Sequence, residues 1–201
     1  MPKFINTPAL LLGVAVGFNA AFITPVAADP EIEAAASAYL DGQAQSWLAN
    51  PLIVRAINAQ NEKHASIDQA GIDSLDKQWR KESTAGNGPL IDEVMGNELS
   101  KFLVGIREES NGLLTEVFVM DANGLNVGQS DLTSDFWQGD EAKWQKTFQM
   151  GPDTVFVDEV ELDESSQRYQ TQVSYSITDP ATGKVIGAVT IGIDAEGLLM
   201  L

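Results

Sequence analysis

The apolar positions in the first half of the chain recur at helical spacing. Residues 30–61 are rich in Ala, Glu and Gln, and one helical face of this segment carries the apolar side chains Ala36, Leu40, Trp47, Ile53, Val54 and Ile57. A break or kink is predicted at Asn50-Pro51, because Pro51 lacks an amide donor and restricts the residue before it. The same spacing predicts a second helix over residues 72–81 and a third over residues 90–109.

The pattern changes to that of strands after Asn111-Gly112. Runs rich in β-branched and aromatic residues predict five strands, at residues 113–120, 125–129, 154–162, 169–178 and 185–193. Short turns between neighbouring runs imply antiparallel pairing. A polar insert that contains two tryptophans separates the second strand from the third. The sequence therefore predicts an α+β domain, in which helical residues 29–110 pack on a single sheet formed by residues 111–201.

Residues 1–28 have the layout of a secretory signal peptide. Lys3 precedes an apolar run over residues 8–23, and Val26-Ala27-Ala28 places small residues before a cleavage site. We predict cleavage after Ala28 and export to a bacterial periplasm. The lesser alternative is an uncleaved membrane anchor, because the apolar run is near the lower limit for crossing a bilayer.

Composition removes several functions from consideration. The 201 residues include 12 Lys and Arg against 29 Asp and Glu, for a net charge of −17, with one His and no Cys. The negative charge disfavours binding to nucleic acid and to anionic membranes. The absence of Cys excludes thiol nucleophiles, disulfides and iron–sulfur clusters. One His leaves little scope for serine nucleophile activation or for a His-rich metal site. We therefore expect a protein that is not an enzyme and has no cofactor or metal.

Three stretches in the second half carry a resemblance to a known family. They are Val117-Phe-Val-Met-Asp-Ala-Asn-Gly124, Thr133-Ser-Asp-Phe-Trp-Gln-Gly-Asp140 and Gln172-Val-Ser-Tyr-Ser-Ile-Thr-Asp179 with the Thr182-Gly-Lys-Val-Ile-Gly-Ala-Val-Thr-Ile-Gly-Ile-Asp194 run that follows. These stretches resemble a Cache domain, the PAS-like extracytoplasmic sensor module of bacterial chemoreceptors and sensor kinases. The resemblance is strongest over residues 113–194.

This resemblance implies a five-stranded antiparallel sheet with a long N-terminal helix against one face. A small ligand would occupy the other face, beneath a capping helix and loop at about residues 130–150. The amino-acid-binding subgroup of the family uses an Arg and Tyr cluster near its pocket Trp. Between Asp121 and Met150 this chain has neither Arg nor Tyr, so that ligand set is not carried over.

The insert between the second and third predicted strands supplies the first group of candidate ligand contacts. Two tryptophans lie seven residues apart in it, which places them on one face if the segment is helical. Ring faces beside carboxylates suit a cationic or amine-bearing small molecule. The alternative is that the rings pack as core and the carboxylates are solvated. The candidates are Asp135, Trp137, Gln138, Asp140 and Trp144.

The third and fourth predicted strands supply the second group. Asp158 interrupts an apolar row formed with Phe156, Val160 and Leu162, so its carboxylate must be paired, hydrogen-bonded or directed at a cavity. In the fourth strand one row is Tyr169, Thr171 and Tyr175, and the other row includes Gln172 and Ser174. Alternation alone does not decide which row faces the ligand.

Together these observations predict a standalone exported sensor that binds a small molecule beneath its cap and signals through a separate membrane sensor protein. The acidic excess is larger in residues 111–201, with 15 acidic against 4 basic residues, than in residues 29–110, with 14 against 7. A cationic or zwitterionic ligand is therefore favoured over an anionic one. We also expect the helix at about residues 32–61 to offer a surface for homodimerisation or docking. The alternatives are a ligand-free structural protein of the cell envelope and, less favoured, a small hydrolase with paired carboxylates.

Overall fold

A computed structural model describes residues 29–163 and 168–201. Residues 1–28, where the signal peptide and its cleavage site are predicted, lie outside the described residues. Across the two described ranges, no helix is both long enough and apolar enough to cross a membrane.

The N-terminal half is helical, as predicted. Its helices are α1 (Pro30–Tyr39), which continues through a π-helical turn (Leu40–Ala44) into α2 (Gln45–Leu48), then α3 (Pro51–Lys63), α4 (Gln69–Ala85), α5 (Pro89–Gly96) and α6 (Glu98–Glu109). The predicted break at Asn50-Pro51 is confirmed: Pro51 opens α3, and the Asn50 side chain accepts a hydrogen bond of 3.0 Å from the Leu52 amide.

The third predicted helix is two helices in the structure. Asn97 interrupts it in an extended conformation, where its Oδ1 atom accepts from the Ser100 amide at 2.8 Å and caps α6. The Asn97 amide group also donates to the Val127 carbonyl at 2.8 Å. A side chain that satisfies both a helix end and a neighbouring strand outweighs the helical periodicity of the surrounding residues.

The C-terminal half forms an antiparallel sheet with the order β2-β1-β6-β5-β3. Its strands are β1 (Leu114–Met120), β2 (Asn126–Gln129), β3 (Val155–Val157), β4 (Glu161–Asp163), β5 (Arg168–Thr178) and β6 (Val185–Asp194); the short helices α7 (Ala142–Gln145) and α8 (Ala195–Leu199) complete the fold. The predicted α+β class with one antiparallel sheet is confirmed.

The predicted third strand is divided into β3 and β4, which both pair with β5. Phe156 lies opposite Ser174 in β3, whereas Leu162 lies opposite Tyr169 in β4. The register therefore shifts by one residue between the two segments, which is the signature of a β-bulge. Six strand segments thus occupy the five positions of the predicted sheet.

The main core lies between the helices and one face of the sheet. Apolar side chains of that face, among them Val117, Val119 and Ile191, pack against α3 and α6 residues such as Ile57 and Leu103. A second cluster surrounds Trp79 of α4, which is fully buried and stacks on Phe136 with ring centroids 5.3 Å apart. Burial of this amphipathic face gives the helical layer most of its stability.

The N-terminus of α5 is capped by a side chain from another helix. The residue before α5 is Gly88, which has no side chain to accept a hydrogen bond. The buried Glu82 carboxylate of α4 accepts from the Leu90 amide at 2.8 Å and from the Ile91 amide at 3.0 Å. Burial by itself would raise the pKa of Glu82, but the hydrogen bonds from Ile91, Gln78 and Leu90 outweigh it and lower that pKa below the ordinary value of 4.5.

We expect Glu82→Gln to lower the free energy of unfolding at pH 7 and to have a much smaller effect near pH 3. The folded-state pKa is depressed, so the contribution of Glu82 is present above pH 4.5 and is lost as the pH falls through the lowered value. Urea unfolding at both pH values measures this difference. The exposed Glu62→Gln variant is the control, and equal pH dependence of the two variants would contradict the capping role.

Candidate functional site

Alternation along β1, β5 and β6 gives the sheet two different faces. Val117, Val119 and Val173 belong to the core beneath the helices. Phe118 and Met120 form a separate cluster with Trp144, Phe148 and Ala188 on the opposite face. Gln172 and Ser174 alternate with Val173, so they share the second face. Of the two rows that the sequence left open, the row of Gln172 and Ser174 is the one on the cap side.

The cap is residues 130–150, and α4 holds its first half in place. The Trp79 indole donates to the Thr133 carbonyl at 2.9 Å. The Asp76 carboxylate accepts from the backbone amides of Phe136 at 3.0 Å and Trp137 at 3.2 Å. Sequence reasoning did not assign α4 this role, because its spacing shows an amphipathic helix but not the loop that packs against it.

The second half of the cap packs directly on the sheet. Trp144 of α7 is buried against Phe118 and Met120, and its ring stacks on Phe148 with centroids 4.9 Å apart. Its indole donates to the Asp121 carbonyl at 3.1 Å. The ammonium group of the adjacent Lys143 lies 5.5 Å from the centre of the Phe118 ring. An aromatic floor therefore lies next to the first turn of α7.

A cleft of about 270 Å³ opens between the start of α7, the bulge that divides β3 from β4, and the outer end of β5. The side chains that line it are all polar or charged: Glu141, Lys143, Asp158, Glu159, Glu161, Gln170 and Gln172. The bulge contributes directly to this lining, because the shift in register places Asp158 and Glu161 on the same side of the sheet.

The charge of the cleft is strongly negative. Among the described residues, four carboxylates line it against one ammonium, that of Lys143, which is only 13% exposed and lies 2.8 Å from Glu141 Oε2. That ion pair leaves Asp158, Glu159 and Glu161 as the carboxylates without a lysine partner in the lining. Carboxylates that line one cleft favour an added positive charge. The cleft is therefore suited to a compound with a protonated amine.

Neutral hydrogen-bonding groups continue the surface beneath the cleft. The Gln172 side chain donates to Glu116 Oε1 at 2.8 Å, which orients its amide. The hydroxyl groups of Ser174 and Thr190, both buried, lie 3.0 Å apart on the same face. Within the described part of the chain, no group of three or more His, Asp or Glu side chains is arranged to hold a metal ion.

The candidate residues from the cap occupy different surroundings. Trp144 lies on the sheet beside the cleft, while Asp140 is exposed on the outer surface. Asp135 is paired with Arg80 at 2.7 Å, and the Asp135 carbonyl accepts from the buried Gln138 side chain at 3.0 Å. Trp137 donates through its indole to the Asn123 carbonyl at 2.9 Å. The cleft lining thus contains none of Asp135, Trp137, Gln138 or Asp140.

The candidate residues from the strands are divided between the two faces. Asp158 and Gln172 are brought together in the cleft. Thr171 is buried and donates to the Asp158 carbonyl at 2.7 Å, whereas Tyr169 is 54% exposed. Tyr175 packs against the helical core, and its hydroxyl donates to Asp153 at 3.0 Å. The cleft residues that sequence reasoning did not single out are Glu141, Lys143, Glu159, Glu161 and Gln170.

A larger groove of about 690 Å³ lies near the same end of the sheet, between α1–α2 and the turn that precedes β1, and its lining includes Asp194, which pairs with the cleft residue Gln170. It is wide open to solvent, and its one cation, Arg168, is held by Asp194 at 2.9 Å and by the Gly112 carbonyl at 3.3 Å. We regard the cleft beneath the cap as the better candidate site despite its smaller volume, because charged side chains make up most of its lining, whereas most residues that line the groove are uncharged.

Solved structures of bacterial sensory domains are among those similar to this one. No family model matches the chain, and no curated protein matches it. The sensory domain of the Campylobacter jejuni chemoreceptor Tlp3 is 18% identical, with a TM-score of 0.40 over 85% of this chain and 66% of that one. The same domain with isoleucine bound is 20% identical, with a TM-score of 0.38 and coverage of 85% and 65%. The sensor domain of the V. cholerae histidine kinase DctB is 18% identical, with a TM-score of 0.37 and coverage of 81% and 58%.

These neighbours are sensory domains of a chemoreceptor and a histidine kinase, and this chain spans about two thirds of their length or less. The helical layer, the five sheet positions and the cap described above are the architecture that the Cache-like resemblance implied. What this chain binds is inferred from its own cleft.

Proposed function

We propose that this chain is a small-molecule sensor module, which binds an amine-bearing compound in the cleft beneath its cap and passes its state to a separate membrane sensor protein. The observation that carries this proposal is the cleft between α7, the bulge and β5, where four carboxylates and one lysine meet beside an aromatic floor. Convergent polar groups beside an apolar surface are typical of small-molecule sites.

The lining favours a cationic or zwitterionic ligand. A protonated amine would replace water near Asp158, Glu159 and Glu161 and would reduce their mutual repulsion. The ammonium of Lys143 would donate to a ligand carboxylate once Glu141, which is partly exposed, turned outward. A simple anion would meet three carboxylates without compensation. These charges support the ligand preference that composition indicated.

The surroundings of the only histidine support a non-enzymatic role. His64 Nδ1 lies 3.3 Å from the buried Asp121 carboxylate, and no serine or threonine hydroxyl among the described residues is hydrogen-bonded to its ring. An imidazole held in this way is not placed to activate a nucleophile. Export to the periplasm and dimerisation through the N-terminal helices stay predictions.

Ligand binding is tested by a thermal-shift screen of the mature chain with amino acids, monoamines, diamines, carboxylates and purines. We expect amines or amino acids to raise the melting temperature. For a compound found in this way, Asp158→Asn is expected to weaken binding roughly tenfold, which is the loss of one charge-assisted hydrogen bond. Isothermal titration calorimetry measures the dissociation constants.

Asp140→Asn is the matched control, because it makes the same chemical change on the exposed surface of the cap. It should leave affinity unchanged. Lys143→Met separates the two ligand classes: it should weaken binding of a zwitterion and leave binding of a simple cation equal or stronger. The proposal fails if no compound stabilises the wild type, or if Asp140→Asn and Asp158→Asn weaken binding equally. The first outcome would favour a structural protein without a ligand.

A further inference from the structure

The turn between β1 and β2, Asp121–Gly124, receives hydrogen bonds from both tryptophans of the cap. The Trp144 indole donates to the Asp121 carbonyl at 3.1 Å, and the Trp137 indole donates to the Asn123 carbonyl at 2.9 Å. The two tryptophans belong to different halves of the cap, yet they end on carbonyls two residues apart. The position of the cap is therefore tied to this one turn.

The same turn is held from the other layer by polar side chains at the end of α3. Gln60 donates to Asp121 Oδ2 at 3.1 Å, and His64 Nδ1 lies 3.3 Å from the same oxygen. Asn61 accepts from the Ala122 amide at 2.9 Å and donates to the Ile186 carbonyl of β6 at 2.8 Å. Three side chains within residues 60–64, at the end of α3 and its C-cap, thus contact one turn.

The Asp121 carboxylate joins these two sets of bonds. The residue has no solvent exposure, and its Oδ1 atom accepts from the Asn123 amide at 2.8 Å and the Leu125 amide at 3.0 Å. A buried group whose partners are all in place resists partial displacement, because each lost bond leaves a donor unsatisfied. Movement of the turn should therefore be transmitted to its partners.

We propose that the Asp121–Gly124 turn couples the cap to the last turn of α3, so that displacement of Trp144 by a bound ligand changes the stability of residues 60–64. This inference rests on the proposed function for the ligand, since Trp144 follows the cleft residue Lys143 directly. It assigns Asp121 and Asn61 a positioning role outside the cleft. It also identifies α3 as the element through which the occupied state reaches a partner. A continuous series of hydrogen bonds between two layers is a physical basis for such coupling.

Hydrogen exchange measured by mass spectrometry tests the coupling without any ligand. Trp144→Phe and Trp137→Phe each remove one indole N–H bond to the turn. In both variants we expect amide exchange in residues 60–64 to accelerate about threefold or more, which corresponds to the loss of a typical net hydrogen bond. In the reverse direction, Asn61→Ala is expected to accelerate exchange in α7 by a similar factor, because coupling is reciprocal.

Trp79→Phe is the matched control. It also removes an indole bond to a backbone carbonyl of the cap, but that carbonyl belongs to Thr133 and not to the turn. Exchange in residues 60–64 should change less than about 1.5-fold in this variant, well below the effect of one hydrogen bond. The coupling is wrong if the two cap variants leave α3 unchanged, or if Trp79→Phe accelerates it equally through general loosening.

The outcomes separate this inference from the proposed function. Accelerated exchange in α3 together with a failed ligand screen would support the coupling and contradict the proposed ligand binding. Ligand binding, with unchanged amide exchange of residues 60–64 in the tryptophan variants, would support the site and contradict the coupling. If one tryptophan variant does not fold, the other variant and Asn61→Ala still test the same turn.

Discussion

Asp121→Ala is expected to lower the free energy of unfolding by roughly 3 kcal/mol, the cost of leaving several buried donors without an acceptor. The variant removes the acceptor of two backbone amides, Asn123 and Leu125, and of the Gln60 side chain. The position is fully buried, so bulk water does not reach these donors. Urea unfolding followed by tryptophan fluorescence measures the loss.

Asp179→Ala is the control for Asp121→Ala. Asp179 begins the turn between β5 and β6, and its Oδ1 atom accepts from the Ala181 amide at 2.8 Å. Asp121 accepts in the same way from the Asn123 amide. Asp179 is only partly buried, so water can satisfy its donors. We expect a loss below about 1 kcal/mol for this variant. Equal losses at both positions would show that burial of the Asp121 turn does not govern its stability.

Gly124→Ala is expected to lower the free energy of unfolding by about 3 kcal/mol, because backbone strain and a steric clash act together. Gly124 has a φ of +79°, and a Cβ atom there would lie 2.5 Å from the Gly139 Cα atom in the cap. Because the Gly139 Cα atom belongs to the backbone and the position of a Cβ atom is fixed by its own backbone, no side-chain rotation relieves the contact. The cap would have to move away from the turn, so we also expect weaker ligand binding.

Gly183→Ala separates strain from the clash. Gly183 has a φ of +68° in the turn between β5 and β6, but a Cβ atom there would meet nothing within 4 Å. Gly183→Ala should therefore lower the free energy of unfolding by only about 1 kcal/mol, which is the cost of backbone strain alone. The difference between the two variants in urea unfolding measures the close approach of cap and turn. A difference near zero would contradict that approach.

Local sequence signals were sufficient for most of the secondary structure. The break at Asn50-Pro51 could be predicted, because the proline ring and the missing amide affect only residues close to Pro51 in the chain. Asn97 was different: the periodicity of residues 90–109 continued through it, and its side chain both caps α6 and bonds to the Val127 carbonyl of β2. Contacts of that kind join residues 30 apart, so a local pattern does not contain them.

The location of the candidate site beneath the cap was predictable, but most of the residues that line it were not. Asp158 stood out because a carboxylate interrupts an apolar row. Glu161 did not, because simple alternation placed it on the opposite face, and the bulge between β3 and β4 reverses that assignment. Lys143 lies in the cleft because α7 packs on Phe118. Spacing along the chain carries no information about such packing.

The sequence by itself determined the α+β class, the antiparallel pairing of neighbouring strands and the exclusion of cysteine and multi-histidine chemistry, since these follow from periodicity, short turns and composition. Only the tertiary structure decided that Gln172 and not Thr171 faces the cap, that the bulge directs Glu161 into the cleft, and that Asp121 joins the cap to α3. The physical reason is that alternation defines two faces of a strand, but long-range packing and register decide which face is covered and by what.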